Sequence, residues 1–461
     1  MTELACCVDF GSTYTKAALV DLAGGGLVGS ATHRTTVDTD VLDGWDACLD
    51  QLAAADRAAR SAPVVACSSA GGGLRIAVVG NEELVTAEAG RRVALSSGGR
   101  VVAVVSGGLS STGYAAVRAA DPDVVLLVGG TDGGNAETML DAAATLAAHE
   151  WAAPVVVAGN VDVQPDVADL LAGAGTPHVR TDNVVPRIGV LRPDGARAAI
   201  REMFVNHVIG GKQLSRRADF TAMVHGATPD VVLTAVEVIA QHVGDVAVVD
   251  VGGATTDVHS VVEVDPEDAG LGRQVVAAVP VSRTVEGDLG MRWSAVDTVR
   301  AGDEAGLVTS AELHGLRDAA HRRHTDPALL PGTPAEHRHD RRLAEIAVGV
   351  ALRRHGGRQQ VSFGPDGRLV ERNGKDLREV GLLIGSGGVL RHHAPDAGHD
   401  VLRSACGEHI AGGWLLPRDP RIVVDRDYVL AAVGLLADEH PQAAVALLAP
   451  LLEGRTVETG R

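Results

Sequence analysis

The sequence predicts an α/β protein, and three observations carry that expectation. Two short glycine turns, one near the start and one past the middle, each join a pair of apolar runs. Between them, continuously apolar runs alternate with segments of helical spacing. A third glycine turn, late in the chain, follows one more apolar run and leads into a helical segment.

The first turn reads Asp9-Phe10-Gly11-Ser12-Thr13-Tyr14-Thr15-Lys16, between the runs Leu4 to Val8 and Ala17 to Val20. The second reads Asp250-Val251-Gly252-Gly253-Ala254-Thr255-Thr256-Asp257, between Val246 to Val249 and Val258 to Val262. Strand, Asp-x-Gly turn, strand is the pattern of a β-hairpin with an acidic residue where its first strand ends. Glycine lets the backbone approach a ligand, and successive N–H groups in such a turn form an anion-binding concavity. An aspartate beside phosphates repels them, so its chemical use there is to hold Mg²⁺, directly or through water. One hairpin of this kind is explained as well by a tight turn. A matching pair points to a ligand.

The third turn, Leu382-Leu383-Ile384-Gly385-Ser386-Gly387-Gly388-Val389, completes a set. In this order the three elements resemble the two phosphate loops and the adenosine loop of the acetate and sugar kinase/Hsp70/actin superfamily. The resemblance implies a two-lobed actin/Hsp70-like (ribonuclease H-like) ATPase core, with ATP or ADP and Mg²⁺ in a cleft between the lobes. It implies that the turns around Gly11, Ser12, Thr13, Gly252, Gly253 and Thr255 hold the β- and γ-phosphates, and that Asp9 and Asp250 position the metal. Asp257 resembles the acidic residue kept near the γ-phosphate, with a role in orienting the attacking water. Lys16 reaches a phosphate or faces solvent, and Gly385, Ser386, Gly387 and Gly388 admit the adenosine. Catalysis of this type is positioning plus charge neutralisation.

Taken in order, Gly26 to Thr35 reads as a third strand, Val41 to Ala59 as a helix with Leu42, Trp45, Leu49 and Leu52 on one face, and Pro63 to Ala66 as a strand. From Arg75 the runs Ile76 to Val79, Val101 to Val105, Val124 to Val128 and Val155 to Ala158 are continuously apolar, as parallel strands covered on both faces are. Helical segments separate them: Glu82 to Leu95, Thr112 to Ala120, Ala136 to His149 and Gln164 to Ala174. Repeated βα units imply a doubly wound sheet, inserted into the first lobe. Of its βα turns, Gly129-Gly130-Thr131-Asp132-Gly133-Gly134-Asn135 holds more glycine than a helix cap requires, which favours a ligand or partner contact. Ala198 to Val208 and Pro229 to His242 read as helices, the second as the connecting helix. Strands through Val264 and from Val275 to Val281 are expected next, then charged helices to Gly357. Tyr428 to Asp438 and Gln442 to Leu452 close the chain as helices. The expected division is residues 1–74 (first lobe), 75–200 (insertion), 201–245 (first lobe with the connecting helix), 246–424 (second lobe) and 425–461 (helices returning to the first lobe).

Composition excludes several function classes. A net charge of −18 argues against nucleic acid or anionic membrane as partner. With 46% hydrophobic but only 2% aromatic residues, the cores are built from Val, Leu and Ala. The 5 cysteines form no C-x-x-C pair, which suits reduced thiols in a cytosol. No basic region precedes a long apolar stretch near the start, and no run is long enough to span a bilayer, so a cytoplasmic protein is expected. Gly210-Gly211-Lys212 lacks the spacing of a P-loop, and His149-Glu150 lacks the second histidine of a zincin. His314, His321, His324, His337 and His339 show no metal-site spacing and read as a solvated helical face.

A finer resemblance narrows the function. Val8 to Lys16, Cys67-Ser68-Ser69-Ala70-Gly71-Gly72-Gly73-Leu74 and Val128 to Asn135 together resemble the MutL-type family. That family is the accessory protein associated with adenosylcobalamin-dependent glutamate mutase and aminomutases, unrelated to the mismatch-repair protein of the same name. The resemblance implies an ATP-dependent reactivase or chaperone role toward a B12-dependent mutase as client. The chain lacks the Asp-x-His-x-x-Gly motif of cobalamin-binding domains. A small-molecule kinase and a nucleotide-binding scaffold or filament protein are the alternative readings.

Overall fold

The structure, a computed structural model, describes residues 3–70, 74–209, 214–217, 219–263, 280–364, 367–392, 396–408 and 410–453. The expected strand from Val264 and the greater part of that from Val275 lie outside the described residues, as do Gly71 to Gly73 and the Gly210-Gly211-Lys212 turn. Two compact units divide between Leu233 and Thr234.

The first unit carries β1 (Leu4–Phe10), β2 (Tyr14–Asp21), β3 (Leu27–Arg34), β4 (Val64–Ser68), β5 (Leu74–Val79), β6 (Gly99–Val105), β7 (Val124–Leu127), β8 (Val155–Val157), β9 (His178–Arg180) and β10 (Val224–Ala227). One sheet has the order β10-β4-β1-β2-β3. β1 to β3 form an antiparallel meander, while β4 and β10 run parallel to β1. β1 is central and buried along its whole length, which is why its sequence is apolar on both faces. The helix Val41–Ala55 covers one face with Leu42, Trp45 and Leu52, and Asp40 caps it by accepting from the Leu42 N–H at 2.9 Å.

The other sheet, β6-β5-β7-β8-β9, is wholly parallel. Alternate residues enter two different cores. Ile76, Val78 and Leu126 pack with Val93 and Ile200, whereas Ala77, Val79 and Leu127 pack with Leu146 and Val167. Helices therefore cover both faces, the doubly wound arrangement that the continuous apolar runs predict.

The second unit carries β11 (Val246–Val251), β12 (Thr256–Val261), β13 (Val281–Glu286), β14 (Arg358–Gly364), β15 (Gly367–Asn373), β16 (Leu382–Ser386) and β17 (Arg421–Val424). Its main sheet has the order β13-β12-β11-β16-β17, with β14 and β15 forming a separate hairpin. β11 to β13 are antiparallel, and β16 and β17 are parallel to β11. Strand for strand this repeats the first unit's sheet. In both, a helix follows the last strand: Thr228–Val243 after β10 and Leu430–Leu436 after β17. The repeated order is the ribonuclease H-like order of the actin/Hsp70 superfamily, with the parallel sheet inserted between β4 and β10.

Some elements differ from the sequence reading. β9, β10 and the β14–β15 hairpin are additional strands, each too short or too polar to show a period. The expected helix Glu82 to Leu95 splits into a wide turn, Glu83–Ala87, and a helix, Glu88–Ser96. Thr86 Oγ1 explains the break, since it accepts from the N–H groups of both Asn81 (2.9 Å) and Glu82 (3.1 Å). Among the described residues no helix is long and apolar enough to cross a membrane.

Candidate functional site

β1 delivers Asp9 to the mouth of the first hairpin. In the turn, Gly11 N–H donates to Tyr14 O at 3.1 Å, and a Cβ on Gly11 would sit 2.7 Å from that oxygen. Any side chain there prevents closure. The carbonyls are tied from behind: Thr35 N–H donates to Thr13 O at 3.0 Å, and Thr35 Oγ1 donates to Gly11 O at 2.7 Å. Ser12 Oγ donates to Ser69 O at 3.0 Å. The Ser12 and Thr13 N–H groups donate to no described residue.

Asp9 itself is buried. Its Oδ2 accepts from Lys16 Nζ at 3.3 Å, and its Oδ1 from Thr228 Oγ1 at 2.6 Å and Cys67 Sγ at 3.7 Å. Lys16 thus points at the carboxylate. Burial, and then the Asp9 charge, push the Cys67 thiol well above its ordinary 9.0, so it remains a donor.

The second hairpin repeats the first. Gly252 N–H donates to Thr255 O at 2.9 Å, and a Cβ on Gly252 would again meet that oxygen, at 2.9 Å. Here a segment that the sequence reading missed holds the carbonyls. Met291 N–H donates to Gly252 O at 3.0 Å, Arg292 N–H to Gly253 O at 2.7 Å and Ser294 Oγ to Ala254 O at 2.7 Å. Gly290 lies so close that a Cβ would stand 2.6 Å from the Ala254 carbonyl carbon. The signal in the sequence is the pair Gly287 and Gly290 directly after a strand. The Gly253, Ala254 and Thr255 N–H groups donate to no described residue. With their carbonyls held, both turns keep consecutive N–H groups that no described residue accepts from, donors of the kind that can take an anion.

Asp257 stands across its hairpin from Asp250, as Lys16 stands across from Asp9. Its Oδ1 accepts from an Arg283 guanidinium nitrogen at 2.7 Å and its Oδ2 from Thr255 Oγ1 at 3.3 Å. Arg283, on β13, is buried and was not singled out by the sequence reading. Opposite it on β12, His259 is held neutral, its pKa well below 6.5, by burial first and the Arg283 charge second. His355 is likewise depressed by burial; its Nε2 lies 2.8 Å from Ser260 Oγ and its Nδ1 3.0 Å from Thr284 Oγ1.

β16 places the third turn against the second. Ser386 is in register with Asp250, and Gly387, at φ +100°, passes so close to the Val251 carbonyl that a Cβ would collide with it. A Cβ on Gly385 would stand 2.6 Å from Leu402, whereas Gly388 faces open space. Asp425, at the end of β17, donates its N–H to Gly385 O at 2.8 Å and caps the following helix through the Val429 and Leu430 N–H groups at 2.9 and 3.2 Å.

The Gly129 to Asn135 turn stands at the carboxyl end of β7. Asn183 Nδ2 donates to Gly130 O at 3.0 Å and Asp132 Oδ1 at 2.8 Å, and Gly133 N–H donates to Asp162 Oδ2 at 2.9 Å. A Cβ on Gly130 would collide with the Asn135 carbonyl, while Thr131 O accepts from Gly134 N–H at 2.9 Å. Packing thus accounts for part of its glycine content. Among the described residues no group of three or more His, Cys, Asp or Glu could hold a metal, the helical histidines included. Asp9, Lys16 and this turn belong to the first unit; Asp250, Asp257, Arg283 and Gly385 to Gly388 belong to the second.

Two glycine hairpins, each with an aspartate on its first strand and each on a ribonuclease H-like sheet, define a protein of the actin/Hsp70 fold type. A model of the family described as MutL protein matches residues 5–452. Protein MutL of Clostridium tetanomorphum is 34% identical over 451 residues, covering 96% of this chain and 97% of that protein. The chain belongs to the MutL protein family.

Solved structures similar to it include nucleotide-free acetone carboxylase, at 12% identity and TM-score 0.38, covering 95% of this chain and 70% of that one. The activator of 2-hydroxyisocaproyl-CoA dehydratase from Clostridium difficile, with ADPNP bound, has 8% identity and TM-score 0.31, covering 99% of each chain. The nucleotide-free diol dehydratase-reactivating factor has 11% identity and TM-score 0.33, covering 95% of this chain and 100% of that one. At such scores the fold assignment rests on the chain's own strand order.

Proposed function

We propose that this protein is an ATP-hydrolysing accessory protein, a reactivase or chaperone, serving an adenosylcobalamin-dependent glutamate mutase or aminomutase. The observation that carries the nucleotide reading is the matched pair of turns, whose carbonyls are held from behind and whose N–H groups are left for an anion. Membership of the MutL family supports the client class.

The donor set fits a nucleotide. Ser12, Thr13, Gly253, Ala254 and Thr255 would donate backbone N–H groups to phosphate oxygens, and the Gly385 to Gly388 turn would lie against the adenosine. The N–H groups of Gly11 and Gly252 are used inside their turns, so these glycines serve closure rather than donation. Asp9 and Asp250 would hold Mg²⁺, directly or through water, and bound Mg²⁺ supplies neutralisation of charge on the phosphates. Asp257 would orient the attacking water. Lys16 would keep Asp9 charge-balanced, its Nζ already beside the carboxylate. A cytoplasmic location follows from the client class.

The test is ATP turnover by purified protein, with and without Mg²⁺ and a B12-dependent mutase, beside calorimetry with ATP and ADP. Mg-dependent hydrolysis stimulated by the mutase supports the reading. Absence of nucleotide binding ends it, and turnover strictly dependent on an added small acceptor would make the protein a kinase.

A further inference from the structure

We propose that Arg283 is a positioning residue of the second phosphate loop, acting on bound nucleotide only through Asp257. The inference rests on the ATPase reading and adds a residue to it.

Across the first hairpin an acid faces a base, Asp9 opposite Lys16; across the second an acid faces an acid, Asp250 opposite Asp257. Two carboxylates at one level repel each other and need a cation. β13 supplies it from the far side. Arg283 is opposite His259 rather than Asp257, so its side chain runs two residues along β12 to reach Asp257 Oδ1 at 2.7 Å. The ion pair is largely shielded from water, with Arg283 3% and Asp257 16% exposed. Such a pair holds its geometry far better than an exposed one.

What the pair holds is the loop. Asp257 Oδ2 accepts from Thr255 Oγ1 at 3.3 Å, and Thr255 O accepts from Gly252 N–H at 2.9 Å, the bond that closes the turn. Arg283, Asp257, Thr255 and Gly252 therefore form one chain of contacts. The guanidinium fixes the carboxylate, the carboxylate fixes the Thr255 side chain, and Thr255 aims its own N–H outward. Arginine's planar fork suits this task because it orients a carboxylate as well as neutralising it.

The experiment uses the full chain in four forms: wild type, Arg283→Gln, Asp257→Asn and the double variant, with Arg283→Lys as the conservative change. Two quantities are read: ATP kcat and KM, and hydrogen exchange in the Gly252 to Thr256 stretch without nucleotide. Arg283→Gln is expected to lower kcat about tenfold or more with KM changed less than about threefold, and to speed exchange of the Gly252 amide. Arg283→Lys recovers most of both. In the double variant, Arg283→Gln adds nothing to Asp257→Asn.

Additive losses in the double variant, or unchanged exchange in Arg283→Gln, overturn the proposal. If Arg283→Gln does not fold, Asp257→Asn decides: faster exchange of the Gly252 amide supports the relay from Arg283 through Asp257, and wild-type exchange rejects it. Wild-type protein that neither binds nor hydrolyses ATP defeats the ATPase reading. The exchange measurement, made without nucleotide, still decides what Arg283 does.

Discussion

Lys16 lies directly across the first hairpin from Asp9, its Nζ 3.3 Å from Asp9 Oδ2, at the position Asp257 holds opposite Asp250 in the second. The two sheets repeat each other in strand order, yet their loops balance charge differently. One takes its cation from the adjacent strand and the other from the strand beyond, through Arg283.

Asp9→Asn and Asp250→Asn are each expected to reduce Mg-dependent ATP turnover by roughly a hundredfold, since each removes a charged group from the proposed metal set. Asp9→Asn also weakens the hydrogen bonds that Lys16 Nζ and Thr228 Oγ1 donate to the buried carboxylate, so its melting temperature should fall. Steady-state hydrolysis and thermal denaturation, with circular dichroism to confirm the fold, check both. Full activity in the pair of variants would remove these residues from the site.

Gly290→Ala should disable the second loop without touching it in sequence. Its Cβ would stand 2.6 Å from the Ala254 carbonyl carbon, against backbone that cannot yield without moving the turn. Gly287→Ala is the control, since no atom lies within 4 Å of the added carbon. Calorimetric ATP titration should show affinity lowered tenfold or more in the first variant and unchanged in the second.

Asp230, buried in the first turn of the helix Thr228–Val243, accepts from Arg201 Nε at 2.6 Å. This charge-assisted bond joins the helix that contacts Asp9 to the helix Asp194–Met203 beside the inserted sheet. Asp230→Asn should cost about 2 kcal/mol, within the range for hydrogen bonds to charged groups. Urea denaturation followed in the first unit measures it; a midpoint equal to wild type would show that the bond contributes nothing.

Acid should destabilise the second unit through His259 and His355. Both are kept neutral in the fold, below the ordinary 6.5, chiefly by burial. The unfolded chain takes up protons at these sites below that pH and the folded chain does not. Stability is therefore fully present above 6.5 and is lost progressively as pH falls below it. Urea midpoints at pH 7 and 5 check the sign. His355→Gln, which keeps hydrogen-bonding capacity toward Ser260 and Thr284, should flatten the dependence.

Much of the candidate site was legible because its pieces are local turns. A glycine turn between two apolar runs is written within a dozen residues, so Asp9, Gly11, Asp250, Gly252 and Gly385 to Gly388 could be picked out one by one. β5, β7 and β8 of the inserted sheet were equally plain, since burial on both faces demands unbroken apolar runs, and β6 showed the same apolar run although it is the partly exposed edge strand. β10, reading Val-His-Gly-Ala, was not. It is a strand only because β4 offers it an edge.

The sequence alone determined which residues build the turns, because glycine's missing side chain and a strand's apolar pattern are properties of neighbouring residues. Tertiary structure decided what stands behind those turns. Arg283, Gly290 and Thr228 reach Asp257, Ala254 and Asp9 across 26, 36 and 219 positions of chain respectively. Nothing local marks a residue for such a partner. Sheet order and register bring these groups together, and burial then makes each charge depend on the one it meets.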